Sequence, residues 1–232
     1  MYIKNSRLTF SYRLILLILC GLSIISHFSL TDEYNNEKMF SFFTIQSTIF
    51  CFIVFFYLTC FSYREMKTKN ILLYRYKWIL LKEMASHAVL ITFLSYRYVL
   101  HGNGFSMYSI HEPYLFFKDL FVHFIIPLFV FFDYLLFQPK GMFHFRDCLY
   151  NLIFPALYLI MIVIRSLSHT PYDFLKVPRY PYFFLDIDSF GYLKVLLFIG
   201  IYLSVILLLS LLMILMDHLL GWIAQKSEKH FM

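Results

Sequence analysis

Six runs of apolar residues, each long enough to cross a lipid bilayer, constrain this chain more than any other feature. Lipid offers no hydrogen-bond partner to a backbone N–H or C=O group, so a spanning segment forms a helix of roughly 20 residues. The runs therefore predict an all-α, polytopic membrane protein that forms a single domain of six transmembrane helices. The predicted helices cover residues 14–30, 39–62, 77–100, 119–137, 147–168 and 192–222.

The composition argues against other classes of protein. The chain is 60% hydrophobic and 15% charged, and no segment between the apolar runs is long enough to bury a core of its own. The formal net charge of +6 would suit a nucleic-acid-binding protein, but the positive charges lie in short segments beside the apolar runs. We therefore predict membrane lipids as partners and no nucleic acid, and the oligomeric state is left open.

The first apolar run also has features of a secretory signal peptide, because it follows Lys4, Arg7 and Arg13. However, no small-x-small cleavage site follows the run, and five further apolar runs come after it. We predict a retained first helix, with a cleaved signal peptide as the alternative.

The distribution of Lys and Arg predicts the orientation of the helices. Twelve of these residues lie in or beside the N-terminal segment, the second and fourth connections and the C-terminal tail, whereas five lie in or beside the three alternate connections. The alternate connections also hold or border eight of the 14 acidic residues. By the positive-inside rule, both termini of this multi-pass protein are predicted to lie in the cytoplasm.

The fourth apolar run, residues 119–137, carries a histidine and a proline. A histidine is costly to place in lipid and usually faces the bundle interior or a wet cavity. Pro127 has no N–H group to donate to the carbonyl of His123, four residues earlier, so the helix is predicted to be deformed at this turn. Asp119 lies one turn before His123 on the same face and is predicted to orient its imidazole ring.

The second apolar run carries hydroxyl and thiol side chains on one face near its start. Ser41, Thr44, Thr48 and Cys51 recur at steps of three and four residues. Counted from the helix ends, Thr44 and His123 both lie about 7 Å below the outer boundary, at roughly 1.5 Å per residue. An imidazole can remove the proton of a threonine hydroxyl as that hydroxyl attacks an ester carbonyl. Thr44 and His123 are therefore candidate catalytic residues; the alternative is a threonine that bonds only to its own helix.

The fifth connection, residues 169–191, joins the predicted outer ends of the last two helices and contains the segment YPYFFLD. It is predicted to cap the region of Thr44 and His123. Tyr180 and Pro181 are predicted to pack this connection onto the bundle, and Asp186 is a second candidate for the acid that orients His123.

Three short motifs resemble those of a known family. FFTIQS opens the second run, H-x-x-x-P lies in the fourth with a carboxylate further on, and YPYFFLD precedes the sixth. Together they resemble the bacterial membrane-protein family labelled Pr-six-Pr, and they are more distantly similar to the androgen-induced and androgen-dependent TFPI-regulating proteins of eukaryotes. The resemblance implies a bacterial cell membrane and a six-span threonine hydrolase of fatty acyl esters, with Thr44 as nucleophile and His123 as base. This sequence lacks the tryptophan that precedes the last motif in the eukaryotic proteins.

The sequence leaves two other functions open. A small transporter or binding protein would use a polar seam formed by Glu83, His87, Arg97 and His123, although no internal repeat of the kind found in many transporters is evident. A non-enzymatic accessory membrane protein is the third possibility. His87 is interpreted either as a proton carrier or as an interior histidine bonded to a hydroxyl or to Glu83. None of these functions implies a metal ion or an organic cofactor.

Overall fold

The computed structural model describes residues 2–28, 33–68, 76–100, 113–168 and 179–230. Eight α-helices lie in these ranges: α1 (Ser6–His27), α2 (Glu33–Ser41), α3 (Phe43–Thr68), α4 (Tyr76–Ser95), α5 (Pro113–Leu120), α6 (Ile126–Phe137), α7 (Ile153–Ser168) and α8 (Ile187–His230). Two π-helical turns, Tyr96–Leu100 and Phe121–Ile125, extend α4 and join α5 to α6. Two 3-10 helices, Phe145–Leu152 and Phe183–Leu185, precede α7 and α8.

Six helical segments are long and apolar enough to cross a membrane. They are Ser6–His27, Phe43–Thr68, Tyr76–Leu100, Phe116–Phe137, Phe145–Leu167 and Ile187–Lys226. The predicted all-α class and the predicted six spans are therefore confirmed.

The first helix begins earlier than residue 14, where the apolar run starts. The side chain of Asn5 accepts hydrogen bonds from the backbone N–H groups of Arg7 and Leu8, both at 3.1 Å. These donors have no acceptor within the helix, so a side-chain cap here stabilises a start at Ser6. The last helix is interrupted near its start, where Gly191 has a φ of 74° and departs from the helical conformation of α8.

Backbone contacts identify the two ends of the bundle. The N–H group of Ile3 donates to the carbonyl of Leu136 at 2.7 Å, and that of Gly141 donates to the carbonyl of Asp217 at 3.2 Å. The N-terminus, the end of α6 and the C-terminal part of α8 thus lie at one end, here called the terminal face. The end where α1 finishes and α5 begins is the opposite face.

Three apolar clusters lie in the described interior, and the smallest of them joins α4, α6, α8 and the connection after α6 through Ile79, Tyr134, Phe143 and Ile214. Of the two larger clusters, the first joins α1, α3, α4 and α6 through Leu16, Cys20, Cys51, Val54, Phe55, Leu58, Ala85, Val89, Ile126 and Val130. The second joins α3, α4, α7, α8 and the segment before α8 through Phe43, Ala88, Ile91, Leu100, Tyr158, Ile162, Tyr182, Leu185 and Ile206. Since α3 and α4 contribute to both of the larger clusters, they lie between them.

Candidate functional site: an apolar cavity lined by hydroxyl groups

A partly open cavity of about 70 Å³ lies between α3, α4, α7 and α8, within the second apolar cluster. Its lining is largely apolar, and six of its residues bring hydroxyl groups: Thr44, Thr92, Ser95, Tyr158, Tyr182 and Tyr202. Among the described residues that line it, none carries a carboxylate, an imidazole or a cationic group. The cavity is therefore suited to a neutral, mostly apolar ligand.

Thr44 lies in the first turn of α3, and it lines the cavity together with Tyr182. The Tyr182 hydroxyl accepts a hydrogen bond from the N–H group of Phe43 at 3.1 Å, which places it beside the first turn of α3. Tyr182 thus caps α3, whose first N–H groups lack acceptors within the helix. Burial raises the pKa of Tyr182 to about 12, so the phenol stays protonated at neutral pH.

The segment YPYFFLD covers the cavity at the opposite face, as the sequence predicts for a cap. The ring of Phe184 stacks on Tyr182 at 5.2 Å and on Tyr202 of α8 at 4.7 Å between ring centroids. Pro181 is buried and Tyr180 is half-buried against the same cluster. Residues 169–178, the first part of this connection, lie outside the described residues.

Asp186 caps α8. Its Oδ1 atom accepts from the N–H groups of Asp188 and Ser189 at 3.0 and 3.1 Å, and its Oδ2 atom accepts from the Ser189 hydroxyl at 2.6 Å. An aspartate at this position satisfies N–H groups that have no acceptor in the first turn of a helix. The structure therefore gives Asp186 a structural partner in its own helix, while Asp119 is the carboxylate beside His123.

His123 belongs to a separate cluster at the junction of α5 and α6. Its Nε2 atom lies 3.3 Å from Oδ1 of Asp119, the contact that the spacing predicts. The imidazole stacks on the Tyr96 ring with 3.8 Å between centroids, and the Tyr96 hydroxyl donates to Oδ2 of Asp119. Both Tyr96 and His123 lie in π-helical turns, a distortion that occurs often at functional sites. The missing N–H group of Pro127 explains the distortion around His123.

The structure does not bring Thr44 and His123 to one cavity. The described lining includes no residue of α5, α6 or the π-helical turn between them. That turn packs against α1, α3 and α4, whereas the cavity lies between α3, α4, α7 and α8. Counting residues predicts depth along a helix axis but not the side of the bundle that a residue faces, so equal depth did not produce a contact.

The side chains of the predicted polar seam take separate partners. His87 is fully buried; its Nε2 atom lies 3.1 Å from the carbonyl of Ile206, and its Nδ1 atom lies 3.4 Å from the sulfur of Met213. Glu83 instead accepts from the Asn151 amide at 2.5 Å. The predicted bond from His87 to a hydroxyl or to Glu83 is wrong, because both partners of His87 lie on α8.

Two tyrosines at these clusters were missed by sequence reasoning. The sequence analysis identifies neither Tyr96 nor Tyr182 as a functional candidate. The chain holds 19 tyrosines, so residue type gives no signal. Only the tertiary packing shows that the Tyr182 hydroxyl accepts from the Phe43 N–H group and that the Tyr96 hydroxyl donates to Asp119.

No protein-family model, curated protein or solved structure matches this chain. The cavity and the side-chain clusters are therefore the features that bear on function.

Proposed function

We propose that this protein is a multi-pass membrane protein that binds the acyl chain of a membrane lipid in the cavity between α3, α4, α7 and α8. The observation that carries the proposal is an apolar cavity whose lining includes the hydroxyl groups of Thr44 and Tyr182. Sites for small molecules are typically apolar with a few polar groups that fix orientation. An acyl ester has this pattern, since its chain is apolar and its carbonyl oxygen accepts hydrogen bonds.

The size of the cavity limits the part of the lipid that enters. Its volume of about 70 Å³ is roughly half that of an engineered apolar cavity of about 150 Å³ that binds benzene. A short run of methylene groups fits this space, and the rest of the chain stays in the bilayer because the cavity is partly open. With the orientation that the Lys and Arg distribution favours, the ligand enters from the outer leaflet.

Filling the cavity is expected to reduce lipid binding. Leu203 lines the cavity on α8, whereas Leu208 on the same helix is 58% exposed at the surface of the bundle. Leu203→Trp should lower photolabelling of the purified protein by a diazirine-bearing acyl ester about tenfold, because the added ring occupies the ligand's space. Leu208→Trp serves as the matched control and should label like the wild type. Equal labelling of all three proteins would contradict the proposal.

A second candidate function, acyl-ester hydrolysis, is favoured by the position of the Thr44 hydroxyl in the cavity lining. The Thr44 oxygen would attack the acyl carbon, the bond to the alcohol oxygen would break, and the alcohol would leave with the proton from Thr44. Water would then release the fatty acid and restore the hydroxyl. His123, the base that the sequence predicts, would have to reach the cavity for this step.

Hydrolysis is tested by the rate at which the purified protein releases fatty acid from an acyl ester. If the protein is a hydrolase, Thr44→Ala and His123→Ala should each lower the rate at least about 100-fold. Thr59→Ala is the matched control, since Thr59 is a buried threonine of α3 whose hydroxyl donates to the Phe55 carbonyl at 2.7 Å. Labelling of the cavity without fatty acid release would leave lipid binding as the function and exclude hydrolysis.

A further inference from the structure

A small cleft at the terminal face is lined by cationic and amide side chains. Arg13, Lys82 and Gln138 contribute its polar groups, and the apolar part of the lining is Leu58, Trp78, Ile79, Phe137 and Pro139. Its volume is about 10 Å³, which is room for about one water-sized group. The cleft lies at the end of α6, far along the bundle from the cavity that Thr44 lines.

Two buried cations at this cleft share one carboxylate. Arg13 donates through Nε to Oδ1 of Asp133 at 2.9 Å and through Nη1 to the Ser62 hydroxyl at 2.9 Å. The ammonium group of Lys82 pairs with Oδ2 of the same carboxylate. Arg13 is 2% exposed, Lys82 3% and Asp133 0%. The group therefore carries excess positive charge, which is costly in a buried site unless an anion compensates it.

Lys140 adds to the positive charge near the cleft. Its ammonium group donates to the carbonyl of Tyr134. Burial and, to a smaller extent, the nearby charge of Lys82 lower the pKa of Lys140 to about 8, although Asp217 and Asp133 act in the opposite direction. Lys140 follows Gln138 and Pro139, which line the cleft, so it is a third cationic side chain in this region.

Gln138 contributes a buried amide group to the lining of the cleft. Its side chain is 4% exposed, and its Nε2 atom has no hydrogen-bond partner within the part of the chain that the structure describes. Buried side-chain donors in native proteins nearly always have a partner. An acceptor in the cleft would satisfy this amide and face Arg13 and Lys82 at the same time.

We propose that the cleft binds an anionic phosphate oxygen, either from a phospholipid headgroup or from free phosphate. The cleft admits one oxygen atom, and the remainder of the headgroup lies outside it. Phosphate suits the site because its oxygens accept several charge-assisted hydrogen bonds, which are stronger than neutral ones. A lipid source agrees with the excess of Lys and Arg at this end, since such segments are attracted to anionic headgroups.

The test measures how added ligands shift the thermal unfolding midpoint of the full-length protein in detergent. Phosphatidylglycerol should stabilise the protein at lower concentration than diacylglycerol, which has the same chains without phosphate. Gln138→Ala should raise the apparent dissociation constant for phosphatidylglycerol about tenfold, and Gln138→Leu, which keeps the side-chain bulk, should do the same. Gln46→Ala is the control, because the Gln46 amide donates to the Phe40 carbonyl near the opposite face.

A competition arm identifies the source of the phosphate. Displacement of phosphatidylglycerol by sodium phosphate would assign the site to the ion itself. Selective, Gln138-dependent binding without such displacement would assign it to the lipid headgroup. Equal stabilisation by phosphatidylglycerol and diacylglycerol would overturn the proposal. Wild-type affinity in both Gln138 variants would overturn it too.

Discussion

Replacing Asp133 by alanine is expected to lower the free energy of unfolding by about 3–5 kcal/mol. The carboxylate is fully buried and is the shared partner of Arg13 and Lys82 on two other helices. Removing it leaves both cations in a low-dielectric interior without their counter-ion, which costs more than the lost contacts alone. Unfolding by SDS in mixed micelles would measure this loss.

Asp188→Ala provides the matched control for this substitution. Asp188 also pairs with an arginine, since both of its oxygens accept from Nη1 of Arg179 at 3.0–3.1 Å, but the pair is exposed. Exposed pairs contribute about 0–1 kcal/mol, so Asp188→Ala should have a small effect. A similar loss for Asp133→Ala and Asp188→Ala would show that the buried cluster does not hold α1, α4 and α6 together.

Replacing Asp217 by alanine is expected to cost about 3 kcal/mol or more, because several donors lose one acceptor group and each costs about 1–3 kcal/mol. Oδ2 of Asp217 accepts from the N–H groups of Met142 and Phe143 at 2.8 and 3.1 Å, and Oδ1 accepts from the Tyr134 hydroxyl at 2.9 Å. The carboxylate thereby fixes the connection after α6 against α8. The same SDS titration would report the loss.

Asp217→Asn separates the hydrogen bonds from side-chain volume. Asparagine has nearly the same shape as aspartate and keeps one acceptor oxygen. The free energy of unfolding of Asp217→Asn should therefore lie between that of the wild type and that of Asp217→Ala. The connection approaches α8 closely at this point, where a Cβ atom on Gly221 would lie 2.9 Å from the Cα atom of Gly141. An Asp217→Ala protein as stable as the wild type would contradict the role given to this carboxylate.

The helices were predictable from the sequence because lipid leaves the backbone no alternative to internal hydrogen bonds. The ends of the helices were less predictable than their existence, because the ends depend on local capping contacts. The side chain of Asn5, for example, caps α1 and places its start outside the apolar run. The contact between Asp119 and His123 was also predictable, because residues four apart lie on one face of a helix.

Contacts between helices were not predictable in the same way. Tyr182, more than a hundred residues along the chain, lines the same cavity as Thr44 and accepts from the Phe43 N–H group, and the partners of His87 lie on α8. A hydropathy pattern gives the depth of each residue but neither the rotation of a helix nor its neighbours. The buried pairing of Asp133 with Arg13 and Lys82 required the same missing information.

The most direct measurement of lipid binding maps the residues that carry the label after photoreaction with the diazirine-bearing acyl ester. Fragmentation mass spectrometry assigns each adduct to a position. The proposal predicts adducts concentrated on residues that line the cavity, such as Ile91, Leu159 and Leu203. Adducts confined to residues exposed at the outer surface of the bundle, such as Leu197 and Leu208, would contradict it.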